Sequence, residues 1–287
     1  MVTSHSIPDA HQDQESTPEP PVEPGVRRIA LGVEYDGSAY CGWQRQSHSP
    51  SVQETLEKAL SQVANEPVSL ICAGRTDTGV HASGQVVHFD TRAVRSEHNW
   101  LMGVNSNIDR SIALGWACEV ESDFHARFSA TSRTYRYIIA NSTSRPGIMN
   151  KGLTWIRDPL DEHLMDRALQ KIQGERDFSS YRGAGCQSNS PFRCVSHTSV
   201  FRRGSLVVVE IQANAFLLHM VRNLVGTLIE VGRGNADENE MLRVLELKDR
   251  KKAGITAPPY GLYLVKVGYP AHFLVPERPL GPVFLAE

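Results

Sequence analysis

Hydrophobic and polar positions alternate from the start of the body of the chain. In "RRIALGVEYDG", Ile29, Leu31, Val33 and Tyr35 recur every second residue, the period of a half-buried strand, and Asp36-Gly37 supplies a turn. The period then changes. In "SVQETLEKALSQVANE", Val52, Leu56, Ala59, Leu60 and Val63 line one face of a predicted helix, with Ser51 and Glu54 at capping-box spacing. "VSLICA" reads as a short strand entering a glycine-punctuated loop, and "QVVHFDT" as the strand that leaves it. Residues 96–105 are predicted helical, and "SIALGWACEV" is an apolar strand.

The second half repeats this grammar. "TYRYIIAN" is a strand. "LDEHLMDRALQKIQG" is a helix with Leu164, Ala168, Leu169 and Ile172 inward and Gly174 at its end. Residues 195–201 and 206–213 flank "RRGS" as a hairpin. "FLLHMVRNLVGTLIEVGRG" is a long apolar helix, "NEMLRVLELKD" another, and "GLYLVKVGY" a last strand. Strands followed by helices in both halves predict an α+β fold of two ferredoxin-like, split βαβ units, with antiparallel sheets flanking a central cleft. The expected domains are 26–122, carrying the glycine-rich loop, and 123–270. Residues 1–25 are polar, acidic and proline-rich, which predicts disorder. Residues 271–287 read as an extended tail.

Composition modifies this picture in one respect. The 287 residues carry a formal net charge of -2. Five acidic residues and no Lys or Arg fall within 1–25, so the body holds 27 acidic residues of the total 32 against 30 basic ones, about +3. That balance suits an RNA binder whose basic side chains line one groove. Arg127, Arg133, Arg136, Arg182, Arg193, Arg202, Arg203 and Arg250 to Lys252 are the candidates, and an ordinary solvated surface explains them equally well. Five cysteines without a regular framework suggest reduced thiols in a cytoplasmic protein. Cys186, Cys194 and His197 are half a zinc site with no second pair, so no metal is expected. No apolar run approaches the roughly 20 residues that span a bilayer, and the N-terminus lacks a signal-peptide pattern.

The loop "AGRTDTGVHASGQVVHFDT" raises the chemical question. Alone, Asp77 beside glycine fits a turn former as well as a reacting group. Arg222 changes the balance. It sits among Leu217, Leu218, Met220, Val221, Leu224, Val225 and Leu228, where an unpaired guanidinium is costly. It either snorkels to the helix surface or pairs with a carboxylate, and Asp77 from the other half is the candidate partner. Tyr135 shares a strand face with Tyr137 and Ile139, as a core residue or as a tyrosine that stacks on a nucleobase. His81, His88, His125 and His219 read as structural histidines. No phosphate-binding loop or nucleophile elbow is present.

These residues, taken together, resemble the TruA-type tRNA pseudouridine synthases. The loop closely matches that family's signature. "VEYDGSAYCGWQRQ", "SVQETLEKAL", "DFHARFSATSRTYRYIIAN", "IQGERDFSSYRG", "VVVEIQANAFLLHMVRNLVGTLIEVGRG" and "GLYLVKVGY" follow in the family's order, from about Arg27 to about Pro270. The resemblance implies that Asp77 is the catalytic nucleophile, Tyr135 the active-site tyrosine that stacks on the base and relays a proton, Arg222 the partner of Asp77, and Arg75 an RNA-binding residue. It implies a homodimer that needs no cofactor or metal and converts uridine to pseudouridine at positions 38 to 40 of the tRNA anticodon stem-loop. It extends to neither 1–25 nor the tail. A carboxylate suits this chemistry because positive charge develops at the sugar carbon as the glycosidic bond breaks. Residue types leave open whether Asp77 attacks C1′, attacks C6 or removes a sugar proton. The rivals are a non-catalytic RNA-binding module and an Asp-based hydrolase. The first has little use for Arg222, and the second needs a metal or a further carboxylate near Asp77. Asp90 is a poor candidate for that role.

Overall fold

The computed structural model describes residues 24–285. The acidic 1–25 segment lies outside them except for Pro24 and Gly25. The first half contributes β1 (Arg27–Tyr35), α1 (Val52–Ala64), β2 (Ile71–Cys72), β3 (His81–Thr91), α2 (Glu97–Asn107) and β4 (Ile112–Val120). The second contributes β5 (Ser132–Asn141), β6 (Thr154–Ile156), α3 (Glu162–Gln170), β7 (Gly174–Asp177), β8 (Phe192–Arg203), β9 (Leu206–Ala213), α4 (Met220–Gly232), α5 (Glu240–Leu247) and β10 (Leu262–Gly268). The fold is α+β. Among the described residues no helix is long and apolar enough to cross a membrane.

Two sheets were expected, but hydrogen bonding runs through a single ten-stranded sheet of order β4-β1-β3-β10-β5-β9-β8-β7, with β2 on β3 and β6 on β5. The join is β10. It pairs antiparallel with β5 and briefly parallel with β3, through Tyr263↔His81 and Leu264↔Ala82. A last strand from the second half thereby clamps the first half at the root of the Asp77 loop.

Local signals account for most elements. Ser51 Oγ accepts from Glu54 N at 3.3 Å and starts α1, although Glu54 pairs with Lys58 at 2.7 Å rather than closing the capping box. Asn65 ends α1 in the left-handed conformation. Gly174, expected only as a helix stop, instead opens β7, an edge strand on β8 that patterning missed because "GERD" has no apolar residue. The apolar run from Phe216 does not begin as helix. α4 starts at Met220, because His219 takes φ +58.

The strands of the second half are apolar without alternation because both faces are covered. Tyr137, Ile139, Val207, Val209 and Leu264 face the main core under the helices. Ile138, Val208, Tyr263 and Val265 face a smaller core closed by Leu285. The tail is therefore packed rather than merely extended. Arg136 donates to Gly281 O at 2.8 Å and Arg203 to Leu285 O at 2.7 Å.

Candidate active site

The loop from Ala73 to Val80 connects β2 to β3 and is held from both halves. Trp43 N donates to Thr76 O at 3.0 Å, Tyr35 Oη meets Thr76 Oγ1 at 2.8 Å, and Gln85 Nε2 donates to Gly74 O at 2.6 Å. From the second half, Arg133 Nη2 donates to Ala73 O at 3.0 Å. Val80 N donates to Asp77 O at 3.1 Å, closing a tight turn. Gly79 has φ +76, and a Cβ there would lie 3.1 Å from Pro259 Cγ. That glycine serves the turn and the packing of the two halves. Gly74 differs: a Cβ there would meet only Tyr135 Oη, at 3.8 Å.

This anchoring presents Asp77 half-buried at the seam. Arg222 comes from α4, with its side chain 14% exposed, and its Nη1 lies 3.3 Å from Asp77 Oδ2. Its Nε donates to Ala257 O at 2.8 Å. The guanidinium is thus neither snorkelling nor unpaired. It is fixed at one end by backbone and offers the other to the carboxylate.

Tyr135 is buried on β5, opposite Ile211 and Leu264. Phe216 packs edge-on against its ring at a centroid distance of 5.0 Å. Its hydroxyl has no hydrogen-bond partner among the described residues, whereas the Tyr137 hydroxyl is satisfied by Thr154 Oγ1 at 2.6 Å and Pro258 O at 2.8 Å. The two tyrosines that patterning grouped together therefore differ. Tyr137 is core, and Tyr135 keeps a free hydroxyl beside Gly74. Burial pushes the Tyr135 phenol well above its ordinary value; the neighbouring Arg133 guanidinium opposes this and the Asp77 charge adds to it. Arg75 is exposed and has no ion pair or hydrogen bond among the described residues.

Three histidines are structural, as expected. His81 Nδ1 accepts from Gly37 N, His88 Nδ1 from Ala126 N, and His125 Nδ1 from Arg127 N and Phe128 N, all at 3.1 or 3.0 Å. His219 lies elsewhere, with its Nε2 3.3 Å from Asp77 Oδ2. No periodicity or spacing marks that contact, which depends on a backbone conformation. The proposed basic groove also shrinks. Arg136 pairs with Glu210 at 2.7 Å and Arg202 with Glu162 at 2.9 Å. Arg250 is taken up by Asn223 Oδ1, Thr256 Oγ1 and Gly254 O.

An anchored aspartate, an arginine from the other half and a buried tyrosine with a free hydroxyl form the chemical core of the site. The sequence profile of the tRNA pseudouridine synthases matches residues 32–129 and 168–270, which contain Asp77 and Arg222. The chain belongs to the tRNA pseudouridine synthase family. The synthase is 57% identical over 262 residues to tRNA pseudouridine synthase A of Klebsiella pneumoniae strain ATCC 700721, covering 91% of this chain and 97% of the relative. It is also 57% identical over 260 residues to tRNA pseudouridine synthase A of Shewanella amazonensis, covering 91% and 100%. The protein of that name from Cronobacter sakazakii is 55% identical over 266 residues, covering 93% and 98%.

Proposed function

We propose that the synthase isomerises uridine to pseudouridine at positions 38 to 40 of the tRNA anticodon stem-loop, with Asp77 as nucleophile. The observation that carries this reading is the Asp77–Arg222 pair, formed between residues 145 positions apart. The reaction breaks the N1–C1′ bond, turns the uracil and joins C5 to C1′. Atoms and electrons balance within the nucleoside, so the chemistry asks only for charge, orientation and a proton path. Arg222 orients the carboxylate that must meet the positive charge developing on the sugar. The free hydroxyl of Tyr135 is available to the detached base, which its ring would stack against and keep oriented. Arg75, exposed and unpaired, would hold the flipped nucleotide or fill the place it leaves. Extrusion of the base costs roughly a few kcal/mol, met by such contacts.

The architecture is consistent with this assignment. The strand orders β4-β1-β3 with β2 beyond, and β10-β5-β9-β8, each support a ferredoxin-like unit, and 26–122 and 123–270 are the two units of the proposal. A homodimeric, cytoplasmic enzyme working without metal or cofactor completes the proposal. It is tested by mapping pseudouridine in tRNA incubated with the wild-type protein and with Asp77→Asn. Product confined to positions 38 to 40, absent with Asp77→Asn while tRNA binding stays within a few-fold, is the expected result. Normal turnover by Asp77→Asn would end the nucleophile assignment.

A further inference from the structure

His219 stands between β9 and α4 with φ +58 and ψ 7, a left-handed conformation unusual for a residue with a side chain. As the residue preceding α4 it makes no side-chain capping bond. Its ring is directed at Asp77 instead, with Nε2 3.3 Å from Oδ2. The other edge of the ring lies against Gly183. A Cβ at Gly183 would come within 3.1 Å of His219 Nδ1 and 2.9 Å of Leu218 O, and Gly183 N donates to Leu218 O at 2.7 Å. The imidazole thus lies between the carboxylate and the Gly183 backbone, where a side chain at residue 183 would crowd it.

Arg222 Nη1 reaches the same oxygen, also at 3.3 Å. Oδ2 receives both groups, and Oδ1 has neither a hydrogen bond nor an ion pair among the described residues. One donor would leave the carboxylate free to rotate about its last bond. Two contacts on one oxygen restrict that rotation more than one does. We propose that His219 is a positioning residue whose Nε2 edge, 3.3 Å from Asp77 Oδ2, acts with Arg222 to hold the carboxylate and leaves Oδ1 as the oxygen that meets the nucleoside. The proposal rests on the reading of Asp77 as the reacting carboxylate.

The test separates the contact from the backbone. Asn suits a left-handed residue but is too short to reach Oδ2, Gly removes the strain and the donor together, and Gln carries an amide nitrogen near the place of Nε2. Steady-state pseudouridine formation is measured for His219→Gln, His219→Asn and His219→Gly, with Asp77→Asn in parallel and melting temperatures to verify folding. His219→Asn and His219→Gly are expected to lose about ten- to a hundredfold in kcat, with the KM for tRNA within about threefold of wild type. His219→Gln is expected to recover most of the rate. Wild-type kcat in the Asn or Gly variant overturns the proposal, as does a Gln variant as slow as Gly. If Asp77→Asn is inactive while His219→Gly is fully active, only the role of His219 falls. If Asp77→Asn is itself active, the parent assignment falls.

Discussion

Arg222 holds Asp77 from a fixed point: its Nε donates to Ala257 O at 2.8 Å while its Nη1 stands 3.3 Å from Asp77 Oδ2. One planar group serves both contacts, joining the segment before β10 to the loop before β3. The relationship lets an apolar helix carry a cation, because each end of the guanidinium has a partner.

Lysine cannot reproduce this geometry, since its ammonium is a single point on a flexible stem. Arg222→Lys is expected to lower kcat by about ten- to a hundredfold, the worth of one charge-assisted hydrogen bond. Folding should be preserved, because the lysine head can still reach either Ala257 O or Asp77. Single-turnover rates together with thermal melts test this. Wild-type turnover by the lysine variant would remove the need for the fork.

Tyr135→Phe keeps the ring and its edge-on contact with Phe216 and deletes the hydroxyl alone. tRNA affinity is expected to stay within a few-fold while most of the rate is lost. Because burial raises the phenol above its ordinary value of 10, the hydroxyl remains protonated through neutral pH and beyond. The wild-type pH–rate profile should therefore show no fall near pH 10 from tyrosinate formation. An unchanged rate in the Phe variant would return Tyr135 to a packing role.

Gly226 lies in α4 where the 253–257 segment crosses the helix. A Cβ at Gly226 would come 1.8 Å from Ile255 O, so Gly226→Ala must push that segment away. Overpacking of this kind costs about 1–3 kcal/mol. The same shift moves Ala257 O, the anchor of Arg222, so lower stability and slower turnover should appear together. Denaturant unfolding and kcat measured on one preparation check it; a destabilised variant with full activity would uncouple the two.

His88 is buried, and its imidazole is pushed down to about 3, first by that burial and then by the Arg28 guanidinium and His125, with Asp90 opposing. Neutral His88 Nδ1 accepts from Ala126 N at 3.1 Å. In the unfolded chain the ring takes up its proton near 6.5, so the unfolded state binds more protons between the two values. Stability is full above about pH 6.5 and falls as the pH drops toward 3, by up to about 1.4 kcal/mol per pH unit. His88→Asn keeps an acceptor that does not titrate. Its unfolding free energy should decline less steeply than that of wild type between pH 6.5 and 5. Equal slopes would contradict the assignment.

The sequence by itself determined the elements whose signals are local. The alternation at Ile29 to Tyr35, the apolar faces of α1 and α4 and the cap at Ser51 follow from side-chain period and short-range hydrogen bonding, which neighbours in the chain can encode. It also marked Asp77 and Arg222, because a cation in an apolar helix requires a partner wherever the fold places it. Tertiary structure decided what depends on distant segments. β10 merges two units into one sheet because its free edge meets β3, a pairing no local pattern specifies. Gly79 serves a turn packed on Pro259, a contact that no neighbour in the chain specifies. Arg136, Arg202 and Arg250 look like a basic groove in composition, yet internal carboxylates, hydroxyls and carbonyls use them. His219 looked like any other histidine until the left-handed backbone before α4 turned it onto Asp77, since the chain encodes a residue's chemistry locally but its direction only through everything packed around it.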